Sequence, residues 1–100
     1  IYISPVEIEE CIRMFPQVRD VKVVGVPQAV LQEEIAACIV LRKNCELTKE
    51  EITAHCSKYL AAYKVPRYIE FFEELPVNSS NKIKIGELKE RMRVLALANK

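Results

Sequence analysis

Apolar residues recur at the spacing of a helix face in three segments of the chain, which predicts three helices. The predicted buried faces consist of Ile8, Cys11, Ile12 and Phe15 in the first segment, Ile52, Cys56, Tyr59, Leu60 and Tyr63 in the second, and Leu88, Met92 and Leu95 in the third. Ser4 and Thr48 each precede a glutamate by three residues, so both are predicted to begin a helix with a capping box. Pro16 and Pro66 end the first two patterns. Glu9 falls on the outer, solvated side of the first helix.

Three further segments have the composition of strands. Residues 21–26 and 68–72 are rich in β-branched or aromatic side chains, and residues 35–41 are almost entirely apolar, which indicates a strand covered on both faces. The order is therefore helix, strand, strand, helix, strand, loop, helix. It predicts one small α+β domain over residues 1–100, with an antiparallel or mixed sheet flanked by about three helices.

Composition narrows the classes of function. The net charge is +1 and 29% of the residues are charged, which gives no global electrostatic case for nucleic acid or an anionic membrane. No apolar run approaches the roughly 20 residues of a spanning helix. The chain begins at Ile1 without methionine, so we expect it to be a piece of a longer polypeptide.

Cysteine spacing argues against a metal or redox site. Cys11, Cys38, Cys45 and Cys56 include no C-x-x-C pair, so no zinc site is predicted and no metal ligand is assigned. Cys11, Cys38 and Cys56 lie within apolar patterns, as buried thiols do. Reduced thiols indicate a reducing intracellular compartment, either the cytoplasm or the mitochondrial matrix.

Few residues form an enzymatic constellation. His55 is the sole histidine, and the adjacent Cys56 points to another helix face, so a Cys-His pair is not predicted. Adjacent glutamates, such as Glu33 and Glu34, do not converge and are interpreted as solvated charge. Basic residues crowd the second half of the chain, which leaves a nucleic-acid-binding face as an alternative.

The stretch LPVNSSNKIKIGEL places Lys82 on a polar loop between a strand-forming segment and a helix. An ammonium on a flexible stem can be delivered into another protein's cavity, where it stabilises negative charge on a carboxylate or phosphate. The alternative is an ordinary solvated lysine.

The order of these segments resembles the C-terminal domain of the adenylate-forming superfamily, which includes acyl- and aryl-CoA synthetases. The matching stretches are ISPVEIEE, FPQVRDVKVVGVPQ, EEIAACIVLR, LTKEEITAHCSKYLAAYKVPRYIEFFEELP and NSSNKIKIGELKE. The resemblance implies a two-step reaction. A carboxylate first attacks the α-phosphate of ATP, accompanied by Mg²⁺ and bound mainly by an absent N-terminal domain. The thiol of CoA then displaces AMP from the acyl-adenylate.

The resemblance also implies roles for individual residues. Lys82 corresponds to the lysine that reaches the carboxylate and the α-phosphate during adenylation, and rotation of the domain withdraws it before thioester formation. CoA is placed near Gly25, the 28–32 loop and the YKVPR segment. There Lys64 or Arg67 would meet CoA phosphates, and Gly25 would leave space for the pantetheine arm.

The sequence departs from the family pattern at four positions. Gln28 and Gln32 replace the usual aspartate and glycine, and Asn44 and Asn81 replace glycines. Asparagine tolerates left-handed backbone, so we expect Asn44 and Asn81 to keep their turns. Two alternatives stay open: transfer of the acyl group to a carrier protein, and a stand-alone regulatory or interaction domain.

Overall fold

The computed structural model describes residues 4–27 and 33–98. The elements in these residues are α1 (Pro5–Ile12), β1 (Val18–Pro27), β2 (Glu33–Leu41), α2 (Lys49–Tyr59), β3 (Tyr68–Phe71) and α3 (Ile85–Ala98). A short 3₁₀ helix, Ala62–Lys64, lies between α2 and β3. The predicted α+β order is confirmed. β1 begins three residues earlier than the strand pattern suggested, and β2 two residues earlier.

The strands form a mixed sheet in the order β1-β2-β3. β1 runs antiparallel to β2, with Gly25 opposite Ile35, and β3 runs parallel to β2, with Ile69 opposite Ala37. β2 is therefore the central strand and is covered on both faces, as the continuous apolar run predicted.

Two apolar cores lie on opposite faces of the sheet. One holds α1 and α2 against alternate strand residues, among them Val21, Val23, Ala37 and Ile39. The other holds Leu88 and Met92 of α3 against the intervening residues, among them Val24, Val26, Cys38 and Val40. Because side chains alternate across a strand, one three-stranded sheet supports both cores. The loops contribute Leu47 to the first core and Leu75 to the second.

The two predicted capping boxes have different outcomes. Thr48 Oγ1 accepts from the Glu51 N–H and the Thr48 N–H donates to Glu51 Oε1, both over 3.0 Å, as predicted. The Ser4 box is wrong: α1 begins after Ser4, but no side-chain capping bond forms. The carboxylate of Glu7, the expected partner, instead lies 2.8 Å from Lys64 Nζ.

Glu9 was wrongly placed on the solvated side of α1. It is 5% exposed, and its Oε2 accepts from the Val23 N–H of β1 over 2.9 Å. Lys22 Nζ lies 3.6 Å from the same oxygen. A backbone donor and a nearby cation satisfy the buried carboxylate, which ties α1 to the sheet.

The assignment of Tyr59 and Tyr63 to the buried face of the second helix was also wrong. They are 58% and 51% exposed. α2 ends at Tyr59, and Leu60 has extended backbone angles (φ −121°, ψ 150°), so the helical phase does not continue to position 63. Ile52, Cys56 and Leu60 are buried as predicted.

Cys11, Cys38 and Cys56 are buried as predicted, and Cys45 is half-buried; all four are free thiols. Burial raises the pKa of Cys38 and of Cys56 to about 12, and burial likewise raises the pKa of Cys11. Within residues 4–27 and 33–98, no helix has the length and apolarity required to cross a membrane.

Candidate functional site

Lys82 lies in the loop that joins β3 to α3. An antiparallel bridge between Val77 and Ile83 closes this loop into a small hairpin, and Asn81 in its turn has a φ of 63°. This confirms the expectation that asparagine keeps the left-handed turn in place of glycine. The lysine is therefore carried on a short, closed hairpin at the surface.

Asn78 takes part in four hydrogen bonds that shape this hairpin turn. Its backbone N–H donates to the Lys82 carbonyl over 2.8 Å, and its carbonyl accepts from the Asn81 N–H over 2.9 Å. Its side-chain Oδ1 accepts from the Ser80 N–H over 2.8 Å and from the Lys82 N–H over 3.0 Å. The sequence analysis missed Asn78, although asparagine before Ser-Ser-Asn is a signal for such a side-chain turn.

The Lys82 side chain is exposed and, among the described residues, its ammonium has no ion pair or hydrogen bond. Two carboxylates, Asp20 and Glu74, lie beside the hairpin and line a cleft of about 280 Å³ with Asn81. Both already contact Arg19, whose guanidinium is 3.2 Å from Asp20 and 2.8 Å from Glu74. The ammonium is thus available to an external anion.

Gly25 lies in β1 with its Cα against Glu33. A Cβ at position 25 would collide with the Glu33 carboxylate. The glycine does not have a positive φ, so close approach and not backbone freedom accounts for it. Gly25, Glu33 and Pro5 line a small cleft of about 80 Å³, and an exposed carboxylate partly fills the space predicted for a pantetheine arm.

The two basic candidates for phosphate contact are already paired. Lys64 Nζ lies 2.8 Å from Glu7, and this hydrogen bond raises the lysine pKa; the Lys64 side chain is 21% exposed. Arg67 Nε lies 3.4 Å from Glu34 Oε2, and its side chain is 68% exposed. Tyr68 OH also donates to Glu34, over 3.2 Å. Glu34 was therefore wrongly interpreted as solvated charge.

The structure brings Gly25 and Arg67 to one end of the sheet. Gly25 is opposite Ile35, whose carbonyl accepts from the Arg67 N–H over 2.9 Å, so the three residues lie side by side. A cleft of about 240 Å³ beside them is lined by Glu33, Glu34 and Arg67. Lys64 joins this end through its contact with α1. We call the region around Gly25, Ile35, Lys64 and Arg67 the acceptor end.

The Lys82 hairpin lies at the opposite end of β1. Asp20 of β1 lines the cleft beside the hairpin, and Gly25 lies five residues further along the same strand. At about 3.3 Å per residue, these two ends of the strand are about 17 Å apart. Lys82 and the acceptor end therefore lie at separate ends of the sheet.

The sequence also singled out Asn44, Gln28, Gln32 and His55. Asn44 has a φ of 64°, so it keeps its predicted left-handed turn. Gln28 and Gln32 lie outside the described residues. His55 is half-buried; its Nε2 is 2.9 Å from the Cys11 carbonyl oxygen, and its ring packs on Phe15. In the described part of the chain, no group of three or more acidic, histidine or cysteine side chains could hold a metal ion.

Comparisons with known proteins agree on one family. The family model described as the AMP-binding enzyme C-terminal domain matches residues 7–82, a range that ends at Lys82. The chain is 43% identical over 89 residues to the mitochondrial medium-chain acyl-CoA ligase ACSF2 of Danio rerio, covering 89% of this chain and 15% of that protein. It is 42% identical over 89 residues to the putative acyl-CoA synthetase YngI of Bacillus subtilis, covering 89% and 16%.

A solved structure agrees with these relatives. A fatty acyl CoA synthetase of Mycobacterium tuberculosis superimposes with a TM-score of 0.82 at 34% identity, over 93% of this chain and 18% of that chain. The present chain thus spans about a sixth of the length of the curated relatives it matches.

Proposed function

This chain belongs to the AMP-binding enzyme C-terminal domain family, and on that premise we propose that it is the small, mobile domain of an AMP-forming acyl-CoA ligase. A larger adenylating domain, to which we assign ATP and the acid substrate, is its partner. The similarity to acyl-CoA ligases over 89% of the chain supports this proposal.

In the first reaction step, Lys82 enters the active site of the larger domain. A carboxylate oxygen of the acid forms a bond to the α-phosphorus of ATP, and the bond from that phosphorus to pyrophosphate breaks. Two anions must approach each other in this step. A cation held between them offsets their repulsion where it is greatest, in the transition state.

Mg²⁺ supplies charge neutralisation at the ATP phosphates when it is bound. No residue among those described is assigned to it, because they include no suitable group of ligands. The contribution of this chain to adenylation is the Lys82 ammonium.

In the second step the acceptor end faces the active site. The sulfur of CoA forms a bond to the acyl carbon, the bond from that carbon to the AMP oxygen breaks, and the thiol proton passes to water. Gly25 leaves a path along β1 for the pantetheine arm, once the exposed Glu33 side chain swings away. Arg67 exchanges Glu34 for a CoA phosphate, an exchange of low cost because an exposed ion pair contributes only about 0–1 kcal/mol.

The separation of these two surfaces supports the proposal that the domain rotates between the steps. The Lys82 hairpin lies beside the Asp20 end of β1 and Gly25 lies near the other end, so one orientation does not present both to the same point. Rotation of a rigid domain exchanges one set of groups for the other and also withdraws the lysine.

The single observation that carries the proposal is the exposed, unpaired ammonium of Lys82 among the described residues. It is an exposed cation on a closed hairpin, with no counter-ion among the described residues, at the position where the family resemblance requires it. The name of the mitochondrial medium-chain acyl-CoA ligase suggests a medium-chain fatty acid as the substrate and mitochondria as the compartment, and we propose this substrate and this compartment.

The proposed function is tested on the complete polypeptide that carries this chain. With a medium-chain acid, ATP and CoA, we expect equal amounts of acyl-CoA, AMP and pyrophosphate, and no product from this 100-residue chain alone. A phosphopantetheine-bearing carrier protein replaces CoA in a parallel assay. Product with the carrier alone would assign the acceptor to a protein, and no adenylation with any acid would leave an interaction domain as the function.

A further inference from the structure

The hairpin fixes the backbone of Lys82 through one other residue, Asn78. Both backbone groups of the lysine bond to it: the Lys82 N–H to Asn78 Oδ1 over 3.0 Å and the Lys82 carbonyl to the Asn78 N–H over 2.8 Å. With the Val77–Ile83 bridge beside them, these bonds set where the Lys82 side chain leaves the hairpin. The backbone of the lysine is thus fixed while its ammonium stays mobile.

The hydrogen bond from the Lys82 N–H to Asn78 Oδ1 requires the asparagine side chain, whereas the bond from the Asn78 N–H to the Lys82 carbonyl does not. The same oxygen also accepts from the Ser80 N–H over 2.8 Å, so it draws both sides of the turn together. Without an acceptor at position 78, the N–H groups of Ser80 and Lys82 would bond to water, and the turn would sample other conformations.

We propose that Asn78 is a positioning residue for adenylation, which acts by aiming Lys82 at the reacting carboxylate and phosphate. This inference rests on the proposed function of Lys82 and adds a second residue to it. A long side chain amplifies a small rotation at its Cα into a displacement of its ammonium. A displacement of about 1 Å at a reacting centre costs up to about 100-fold in rate.

The test compares variants of the complete polypeptide in two separate half-reactions. Asn78→Ala removes the acceptor, Asn78→Ser restores a shorter one, and Ser79→Ala is the matched control in the same turn. We expect Asn78→Ala to lower kcat for adenylation about 10- to 100-fold with KM for ATP nearly unchanged. Thioester formation from supplied acyl-adenylate stays within about twofold, which shows that the domain is folded. Asn78→Ser regains part of the loss.

A double variant separates positioning from a general structural role. In a Lys82→Ala background there is no ammonium to position. Adding Asn78→Ala should therefore cause no further loss of adenylation rate. A further loss there, equal losses in both half-reactions, or normal adenylation by Asn78→Ala would overturn the role of Asn78. If Lys82→Ala itself leaves adenylation intact, the proposed function of the lysine fails instead, and the positioning role fails with it.

Discussion

The Glu33 carboxylate occupies the space into which a Cβ on residue 25 would project. The path that we propose for the pantetheine arm runs along β1 at Gly25, where the exposed Glu33 side chain covers it. Since no ion pair or side-chain hydrogen bond among the described residues holds the exposed Glu33 carboxylate there, a ligand can displace it at little cost.

Gly25→Ala tests this path. The new methyl group displaces the flexible end of Glu33 with little loss of stability, but it also narrows the path. We expect thioester formation from acyl-adenylate to fall about tenfold, with adenylation within about twofold. Gly86→Ala is the matched control, because a Cβ at position 86 meets no atom within 4 Å. Equal thioester rates for the two variants would show that the pantetheine arm does not pass residue 25.

Arg67→Ala tests the proposed contact between Arg67 and a CoA phosphate at the acceptor end. We expect KM for CoA to rise about tenfold, as the loss of one charge-assisted hydrogen bond of about 1.5 kcal/mol requires. Lys64→Ala should have a smaller effect, because Lys64 is less exposed and is held by Glu7 over 2.8 Å. Steady-state kinetics with varied CoA measures both.

Arg93→Ala serves as the control for the loss of an arginine, because Arg93 pairs with Glu90 on α3 and has no assigned role. The same rise in KM for Arg93→Ala and Arg67→Ala would indicate a general effect of charge and remove Arg67 from the site.

The thiols provide a test of the two cores. Burial raises the pKa of Cys38 and Cys56 to about 12, above the ordinary 9.0, so at pH 8 both are neutral and unreactive. Iodoacetamide should modify Cys45 first in the native chain and all four thiols after denaturation, as counted by mass spectrometry. Rapid native modification of Cys38 or Cys56 would contradict the burial of the sheet.

The raised pKa values of Cys38 and Cys56 also predict how the stability of the fold changes with pH. The folded state favours the neutral thiols, so their contribution to stability is complete below pH 9.0, where the unfolded thiols are also protonated. It is lost as pH rises from about 9 towards 12. Urea unfolding at pH 8 and pH 10 should therefore show lower stability at the higher pH, and replacement of both cysteines by alanine should reduce that difference.

Local signals predicted much of the fold. Thr48 and Glu51 are three residues apart and form their capping box without help from distant residues. Ser4 and Glu7 have the same spacing, yet Lys64, which is 57 residues away, takes the glutamate. Tyr59 and Tyr63 were misplaced because the helical period was extended beyond the true end of α2. The first failure arises from a contact between residues far apart in the sequence, and the second from the early end of a helix. A short window of sequence contains neither signal.

The candidate site, like the fold, was predicted only in part from the sequence. Lys82 was predicted as a candidate from its loop setting and from the family resemblance, and Asn81 keeps the left-handed turn that its residue type allows. The contacts of Glu33 with Gly25 and of Glu34 with Arg67 were not predicted, because they depend on strand register and on the packing of β3 beside β2. Residue type indicated the candidates, and only the fold supplied their partners.

The most direct test of the central claim is the rate of each half-reaction in the Lys82→Ala variant of the complete polypeptide, with Lys84→Ala as the matched control on the same surface. Acid-dependent exchange of pyrophosphate with ATP measures adenylation, and acyl-CoA formed from supplied acyl-adenylate measures the second step. We expect Lys82→Ala to lower adenylation by about 10²- to 10³-fold, as the loss of one transition-state cation or donor does, while the second step stays within about twofold. Equal losses in both steps, or the same adenylation rate in Lys82→Ala and Lys84→Ala, would contradict the account.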